Sequence, residues 1–304
     1  MSDIEFRLDR ALLRRRFGRA AAGAAVDPLA REIARRMDER LDYLRMAPQR
    51  ILDLGCGTGT DLATLAARYP QALLLGADFA PAMLARAQAG QPRSGVLRRL
   101  LGGPPRGAAL FAADALALPL ARGSVDMLWS NLMLPAVDDP LPALREMHRV
   151  LAVGGVLMFS SFGPDTLREL RAVLPTDAGE RVHRFIDMHD IGDALVKAGF
   201  SDPVMDMEML TLTYPDLDAL LRDLRAHGLT NASIRRPRGL SGRGGWRAAR
   251  AAYERLRRDG RLPASFEVIQ GHAWKTAPRT TADGRAVVSF QPRPPRATAG
   301  REPT

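Results

Sequence analysis

Ile51-Leu52-Asp53-Leu54-Gly55-Cys56-Gly57-Thr58-Gly59-Thr60 reads as a short apolar strand that runs into three glycines and then a helix. A strand–turn–helix of this kind lets a ligand come close to backbone N–H groups. The spacing is G-x-G-x-G; position 60 is threonine, so the dinucleotide pattern G-x-G-x-x-G is not met. Outward from this turn, strand-like and helix-like segments alternate, which predicts a mainly parallel sheet covered by helices, a Rossmann-like α/β fold. Strands are expected at 50–54, 72–77, 110–113, 125–130 and 156–162, and helices at about 60–68, 81–89, 141–151, 165–174 and 189–198. Residues 204–213 and 266–275 alternate like antiparallel strands, which makes the last strand antiparallel. Between them lies a helical, arginine-rich insertion at about 214–263, placed where it can cover a substrate.

Three acids stand at successive strand ends around the turn: Asp53, Asp78 and Asp114. A dinucleotide would put its pyrophosphate on the helix N-terminus. S-adenosylmethionine has no phosphate, but its amino-acid end carries a carboxylate and an ammonium. Helix N–H groups suit the carboxylate, and Asp53 can favour the ammonium. Asp78, 23 residues after Gly55, is placed to accept from ribose hydroxyls. Phe79 and Met83 can flank an adenine ring, or serve as core filler. Asp114, beside Ala115, can accept from the adenine amine, or be a solvated loop acid. Cys56 within the turn reads as a small apolar filler.

The stretches DLGCGTG, GADFAPAML, ADALALP and Ser130-Asn131-Leu132-Met133-Leu134 resemble motifs of class I S-adenosylmethionine-dependent methyltransferases over about residues 50–165. That resemblance implies a cofactor site made of Asp53, Gly55, Gly57, Gly59, Asp78, Phe79, Met83, Asp114, Ala115 and Ser130. Outside this core, Phe17-Gly18-Arg19-Ala20-Ala21, the stretch from Ser161 to Arg171, Phe185-Ile186-Asp187-Met188-His189 and the segments from Leu210 to Trp274 are similar to a narrower family. They resemble the malonyl-acyl-carrier-protein O-methyltransferases of biotin synthesis (the BioC family) over roughly residues 15–275. One departure is that Ala24 and Ala25 stand where that family often carries an aromatic-Asp pair.

The narrower resemblance implies methyl transfer from S-adenosylmethionine to the free carboxylate of a malonyl thioester on acyl carrier protein, or on coenzyme A. A carboxylate with a pKa near ~4 is already ionised at neutral pH, so no strong base is needed. Desolvation and alignment are the tasks left to the protein. An arginine fork is expected to orient the carboxylate, Arg168 first and Arg171 one turn further. The implied organisation is an N-terminal helical lid at 1–45, a methyltransferase domain at 46–275 and a disordered tail at 276–304. Two other readings share the core motifs. One is a methyltransferase acting on another small molecule such as a quinone precursor. The other is a methyltransferase-like assembly factor or protein-arginine hydroxylase of respiratory complex I.

The chain carries a formal net charge of +10, and all but Lys197 and Lys275 of its 44 basic residues are arginine. The excess is concentrated at 1–20, 214–261 and 276–304, so the body is near neutral with basic appendages. That pattern fits an acidic partner such as a carrier protein, or a solvated surface with no partner. Nucleic acid is disfavoured: the chain lacks the N-P-P-aromatic pattern of nucleobase amino-methylating enzymes, and Cys56 sits in the ligand turn rather than beneath a target base. The five histidines show no metal-ligand spacing. No stretch has the ~20 apolar residues of a membrane span and the N-terminus lacks a secretory pattern, so a cytoplasmic protein is expected.

Overall fold

The computed structural model describes residues 7–23, 27–91, 107–174, 179, 181–237, 239 and 242–277. Ala24, Ala25, Arg238 and the tail from 278 lie outside the described residues, and with them the expectations placed there. Among the described residues no helix is long and apolar enough to cross a membrane.

Two helices come first, α1 (Arg10–Ala22) and α2 (Pro28–Arg40). An α/β series follows: β1 (Arg50–Leu54), α3 (Thr60–Arg68), β2 (Leu73–Asp78), α4 (Pro81–Gly90), β3 (Ala109–Ala112), β4 (Val125–Ser130), α5 (Pro140–Val150) and β5 (Leu151–Phe162). Then come α6 (Arg168–Val173), α7 (Met188–Ala198), β6 (Ser201–Tyr214), α8 (Leu217–Ala226), α9 (Arg243–Glu254) and β7 (Leu262–Trp274). The seven strands form one sheet in the order β3-β2-β1-β4-β5-β7-β6. Strands β1 to β5 pair in parallel, and β7 runs antiparallel to both β5 and β6. This is the Rossmann-like class I architecture with its reversed last strand. The order turns around at β1 and β4, so the crevice beyond their carboxyl ends is where such a sheet binds ligands.

Alternation along the strands feeds two cores. Ile51, Met127, Trp129, Val156 and Met158 pack on one side of the sheet, and Leu52, Leu128, Leu157 and Phe159 on the other. Helix α2 buries Leu29, Ile33 and Met37 in the first core, with Ile33 and Met37 at 0% exposure. It is therefore a covering layer of the sheet. Helix α1 is different: it meets α4 and α8 across the mouth of the crevice, through Leu13, Phe17 and Ala21. Among the described residues of 1–45, α1 spans the mouth of the crevice, and the first turn of α2 reaches it with Ala30 and Arg31.

One boundary shift matters for the site. The helix expected at 165–174 begins only at Arg168, because Leu167 takes a left-handed conformation (φ 56°) and tucks its side chain inward, 4% exposed.

Candidate active site

A cavity of about 380 Å³ opens at the carboxyl ends of β1, β2 and β4. Its wall at the glycine turn is built by the local sequence. Gly55 and Cys56 both donate their N–H to the Ala77 carbonyl (2.8 and 3.0 Å), which ties the turn to β2. Gly55 has φ +82°, and a Cβ there would come 2.8 Å from Met133 Cβ, so only glycine fits. Gly59, also left-handed, caps α3 and lies against Ala87 of α4; it serves helix packing and does not line the cavity.

Asp78 shapes the turn as well as facing it. Its Oδ2 accepts from Gly57 N (3.0 Å) and its Oδ1 from Ala80 N (2.8 Å). Burial pushes its carboxyl up from the ordinary value, against the pull of these N–H donors. Asp53, at 2% exposure, is raised much further, by burial first and by the nearby charges of Asp61 and Asp78 second. Its Oδ2 is buried with no hydrogen-bond partner among the described residues. An orphaned buried carboxylate oxygen is costly unless a ligand cation meets it.

Asp53, Gly55, Gly57, Asp78, Phe79, Met83, Asp114 and Ala115 all line this one cavity. Ser130 does not. Its side chain is fully buried, and the next residue lines the cavity instead. Asn131 lines the wall, donating from Nδ2 to Asp61 Oδ2 and to the Ala30 carbonyl (both 3.0 Å) and accepting from Ser160 Oγ (2.8 Å). Asp61 was not among the sequence candidates. It lies in the first turn of α3, lines the cavity, accepts from Trp129 Nε1 (2.9 Å) and is raised by burial.

Helix α1 adds residues that sequence spacing does not reveal. Arg10 Nη2 pairs with Asp114 Oδ2 at 2.5 Å. Phe17 meets Phe79 edge-on at 5.7 Å, and the Arg14 guanidinium lies 5.8 Å from the Phe79 ring centroid. Arg16 Nη1 donates to the carbonyls of Thr230 (2.8 Å) and Asn231 (2.6 Å), which fastens α1 to the loop after α8.

The far end of the cavity is apolar, walled by Phe162, Leu167, Phe185, Leu224, Leu229 and Phe266. His183 sits among them, its Nε2 3.1 Å from the Pro135 carbonyl, and burial lowers its pKa to about 4. It is therefore neutral near pH 7. Burial likewise pushes the Cys56 thiol up, so no thiolate forms in the turn. Among the described residues no His, Cys, Asp and Glu group could hold a metal.

The two arginines expected to grip the acceptor stand elsewhere. Arg168 does not line the cavity; its side chain is 55% exposed, 4.0 Å from Asp165 and 3.8 Å from Glu169. The late helix start at Leu167 turns it outward. Arg171 also stays behind the wall, donating from Nη2 to the carbonyls of Thr166 (3.1 Å) and His183 (3.3 Å), two residues that do line it.

A methyltransferase-domain family model matches residues 52–159. Over 95% of its length the chain is 50% identical to the malonyl-acyl-carrier-protein O-methyltransferase of Laribacter hongkongensis, covering 98% of that protein. The chain belongs to this family of S-adenosylmethionine-dependent methyltransferases. The methyltransferase of the same name from Gallionella capsiferriformans is 48% identical over 93% of this chain and 97% of its own. Solved structures similar in fold are a putative methyltransferase from Bacillus halodurans (TM-score 0.54, 16% identity, 81% of this chain and 100% of that one) and the Bacillus subtilis YcgJ protein (TM-score 0.52, 16% identity, 82% and 100%).

The wall of this methyltransferase fits S-adenosylmethionine. A buried carboxylate without a partner, with Asp61 and Asp78 beside it on the wall, suits a cofactor that carries an ammonium and a sulfonium. Phe79 and Met83 supply the apolar flank that an adenine needs. Replacing Asp78 by asparagine is expected to weaken cofactor binding about tenfold, or ~1.4 kcal/mol. An amide presents only one acceptor oxygen, so either Gly57 or Ala80 loses its bond. Titration calorimetry checks this; unchanged affinity would move the ribose contact away from Asp78.

Proposed function

We propose that this protein methylates the free carboxylate of a malonyl thioester carried by acyl carrier protein, or by coenzyme A, an early step of biotin synthesis. What supports this most is the near-full-length identity to relatives of that name, joined to a cavity with an apolar end walled by Phe162, Phe185 and Phe266, where His183 is held neutral. S-adenosylmethionine supplies the methyl: a carboxylate oxygen bonds to the methyl carbon as the carbon–sulfur bond breaks, and the electron pair stays on sulfur. No proton moves in that step, which agrees with a neutral His183 at the wall.

The protein's share is to dehydrate and align. Phe162, Phe185 and Phe266 exclude water, and the carboxylate gains reactivity as its hydration is stripped. Its charge is met by the cofactor's own sulfonium. Arg171 acts as a positioning residue through the Thr166 and His183 carbonyls. Alanine at 171 is therefore expected to lower kcat/KM for the malonyl substrate by about tenfold to a hundredfold, with cofactor affinity unchanged. Alanine at the outward-facing Arg168 should leave it within about twofold. Initial-rate kinetics on the two variants decides between them; the reverse ranking would restore Arg168 as the carboxylate ligand.

An acidic carrier finds exposed arginines on both helices beside the mouth, Arg15 and Arg19 on α1 and Arg222 and Arg225 on α8. Arg236, in the basic cluster expected to dock the carrier, is instead committed within the chain: Nη2 pairs with Asp9 Oδ2 at 3.1 Å and Nη1 donates to the Ser233 carbonyl at 2.9 Å. The acceptor assignment is tested by comparing malonyl-carrier protein with acetyl-carrier protein, which lacks the terminal carboxylate. S-adenosylhomocysteine should form with the first alone; formation with both would place the methyl elsewhere.

A further inference from the structure

The cofactor is a zwitterion at its amino-acid end, but the cavity wall near the glycine turn is acidic. Asp53, Asp61 and Asp78 all line it. The N-terminus of α3 would ordinarily attract the carboxylate, yet Asp61 already places a carboxylate in that first turn. An anion brought there meets repulsion unless a cation stands close by.

Among the described residues, three arginines line the cavity: Arg10, Arg31 and Arg86. Arg10 is taken by Asp114. Arg86 lies on α4 one turn beyond Met83, on the side where Phe79 and Met83 provide the apolar flank. Arg31 lies in the first turn of α2, next to Ala30, and the Ala30 carbonyl is held by the same Asn131 Nδ2 that reaches Asp61. Arg31 therefore stands at the methionine end of the site.

Its guanidinium is also uncommitted. The other arginines of α2 are engaged: Arg35 with Glu32 and Glu39, Arg36 with Glu32 and Glu208, and Arg40 with Asp206. Arg31 makes no side-chain hydrogen bond or ion pair to a described residue, although its helix is anchored in the core by Leu29 and Ile33. An exposed, unpaired fork on a rigid helix, facing a cavity with an excess of carboxylates, is placed for a ligand anion.

We propose that Arg31 binds the carboxylate of the methionine end of S-adenosylmethionine, so that α2 completes a zwitterion site whose ammonium half is Asp53 and Asp61. Helix α2 then belongs to cofactor recognition as well as to the core.

The test is calorimetry on Arg31→Gln without acceptor, using S-adenosylmethionine and its decarboxylated analogue. The wild-type protein should prefer the intact cofactor. The variant should bind it at least tenfold more weakly while binding the analogue within about twofold of wild type, so the preference disappears. Arg31→Lys, which keeps the charge but loses the fork, should fall between. Since Arg31 is exposed, the melting temperature of the ligand-free variant should not change. Equal losses on both ligands would mean damage to the cavity and would overturn the assignment. Unchanged cofactor affinity would overturn it too; a raised KM for the malonyl thioester in that case would give the guanidinium to the acceptor.

Discussion

Asparagine at position 53 is expected to stabilise the ligand-free protein and to remove most of its affinity for S-adenosylmethionine. Asp53 is held at 2% exposure with Oδ2 unpartnered, and burial raises its carboxyl well above the ordinary 3.8. A raised carboxyl binds its proton more tightly in the folded state than in the unfolded one. The cost is therefore absent below pH 3.8, grows as pH rises toward the folded value, and is fully present above it. The ligand-free wild-type protein should lose stability through that window. The amide cannot ionise, so Asp53→Asn should lose less and gain about 1–3 kcal/mol near pH 7. For a chain of this size that is a rise of roughly 2–4 °C in Tm per kcal/mol. With Asp53 proposed as the partner of the cofactor's ammonium, the same change removes that partner's charge, and affinity should fall about a hundredfold, or ~2.7 kcal/mol. Thermal melts with and without cofactor measure both effects. A lower ligand-free Tm together with an unchanged cofactor-induced shift would contradict the assignment.

Arg16→Ala should have the next largest effect, and on a different step. Arg16 is the side chain that joins α1 to the Thr230 and Asn231 carbonyls. Phe17 beside it packs on Phe79 and lies where a Cβ at Gly228 would come within 3.0 Å, so α1, the end of β2 and the loop after α8 meet at one point. Charge-assisted bonds of this kind contribute about 1.5–3 kcal/mol each. Their loss should release α1 from the mouth and admit water to the acceptor end. We expect kcat/KM for the malonyl substrate to fall about a hundredfold, cofactor affinity about tenfold, and Arg16→Lys to recover only part. Rates together with circular dichroism separate this from unfolding. Wild-type kcat/KM in the alanine variant would show that the placement of α1 does not depend on Arg16.

The sheet and the glycine turn were legible because both leave local signals. Strand alternation has period two, helix faces recur at three to four residues, and Gly55 and Gly57 mark left-handed backbone at a strand end. Eight of the ten residues that the sequence singles out for a cofactor line one cavity at the strand ends. The two exceptions have plain causes. Gly59 supports packing against Ala87, and Ser130 is one residue short of the bend at which Asn131 turns in. A single-residue offset in a strand reverses the face.

Other parts of the site leave no local trace. Asp61 looks like an ordinary first-turn acid, and only the fold brings Trp129 and Asn131 against it. Arg10 and Asp114 are 104 positions apart, and Arg16 and Thr230 are 214 apart. Arg168 lies off the cavity because one left-handed leucine, Leu167, delays the helix and turns the arginine outward. Long-range contacts and isolated backbone reversals thus set the acceptor end, which sequence periodicity does not encode.

Methyl transfer to a malonyl carboxylate is tested most directly by intact mass spectrometry of malonyl-carrier protein incubated with this protein and S-adenosylmethionine. The expected result is the gain of one methyl on the malonyl group, matched one for one by S-adenosylhomocysteine, with the carrier polypeptide itself unmodified. A malonyl group left unchanged while cofactor is consumed, or a methyl found on the polypeptide, would contradict it.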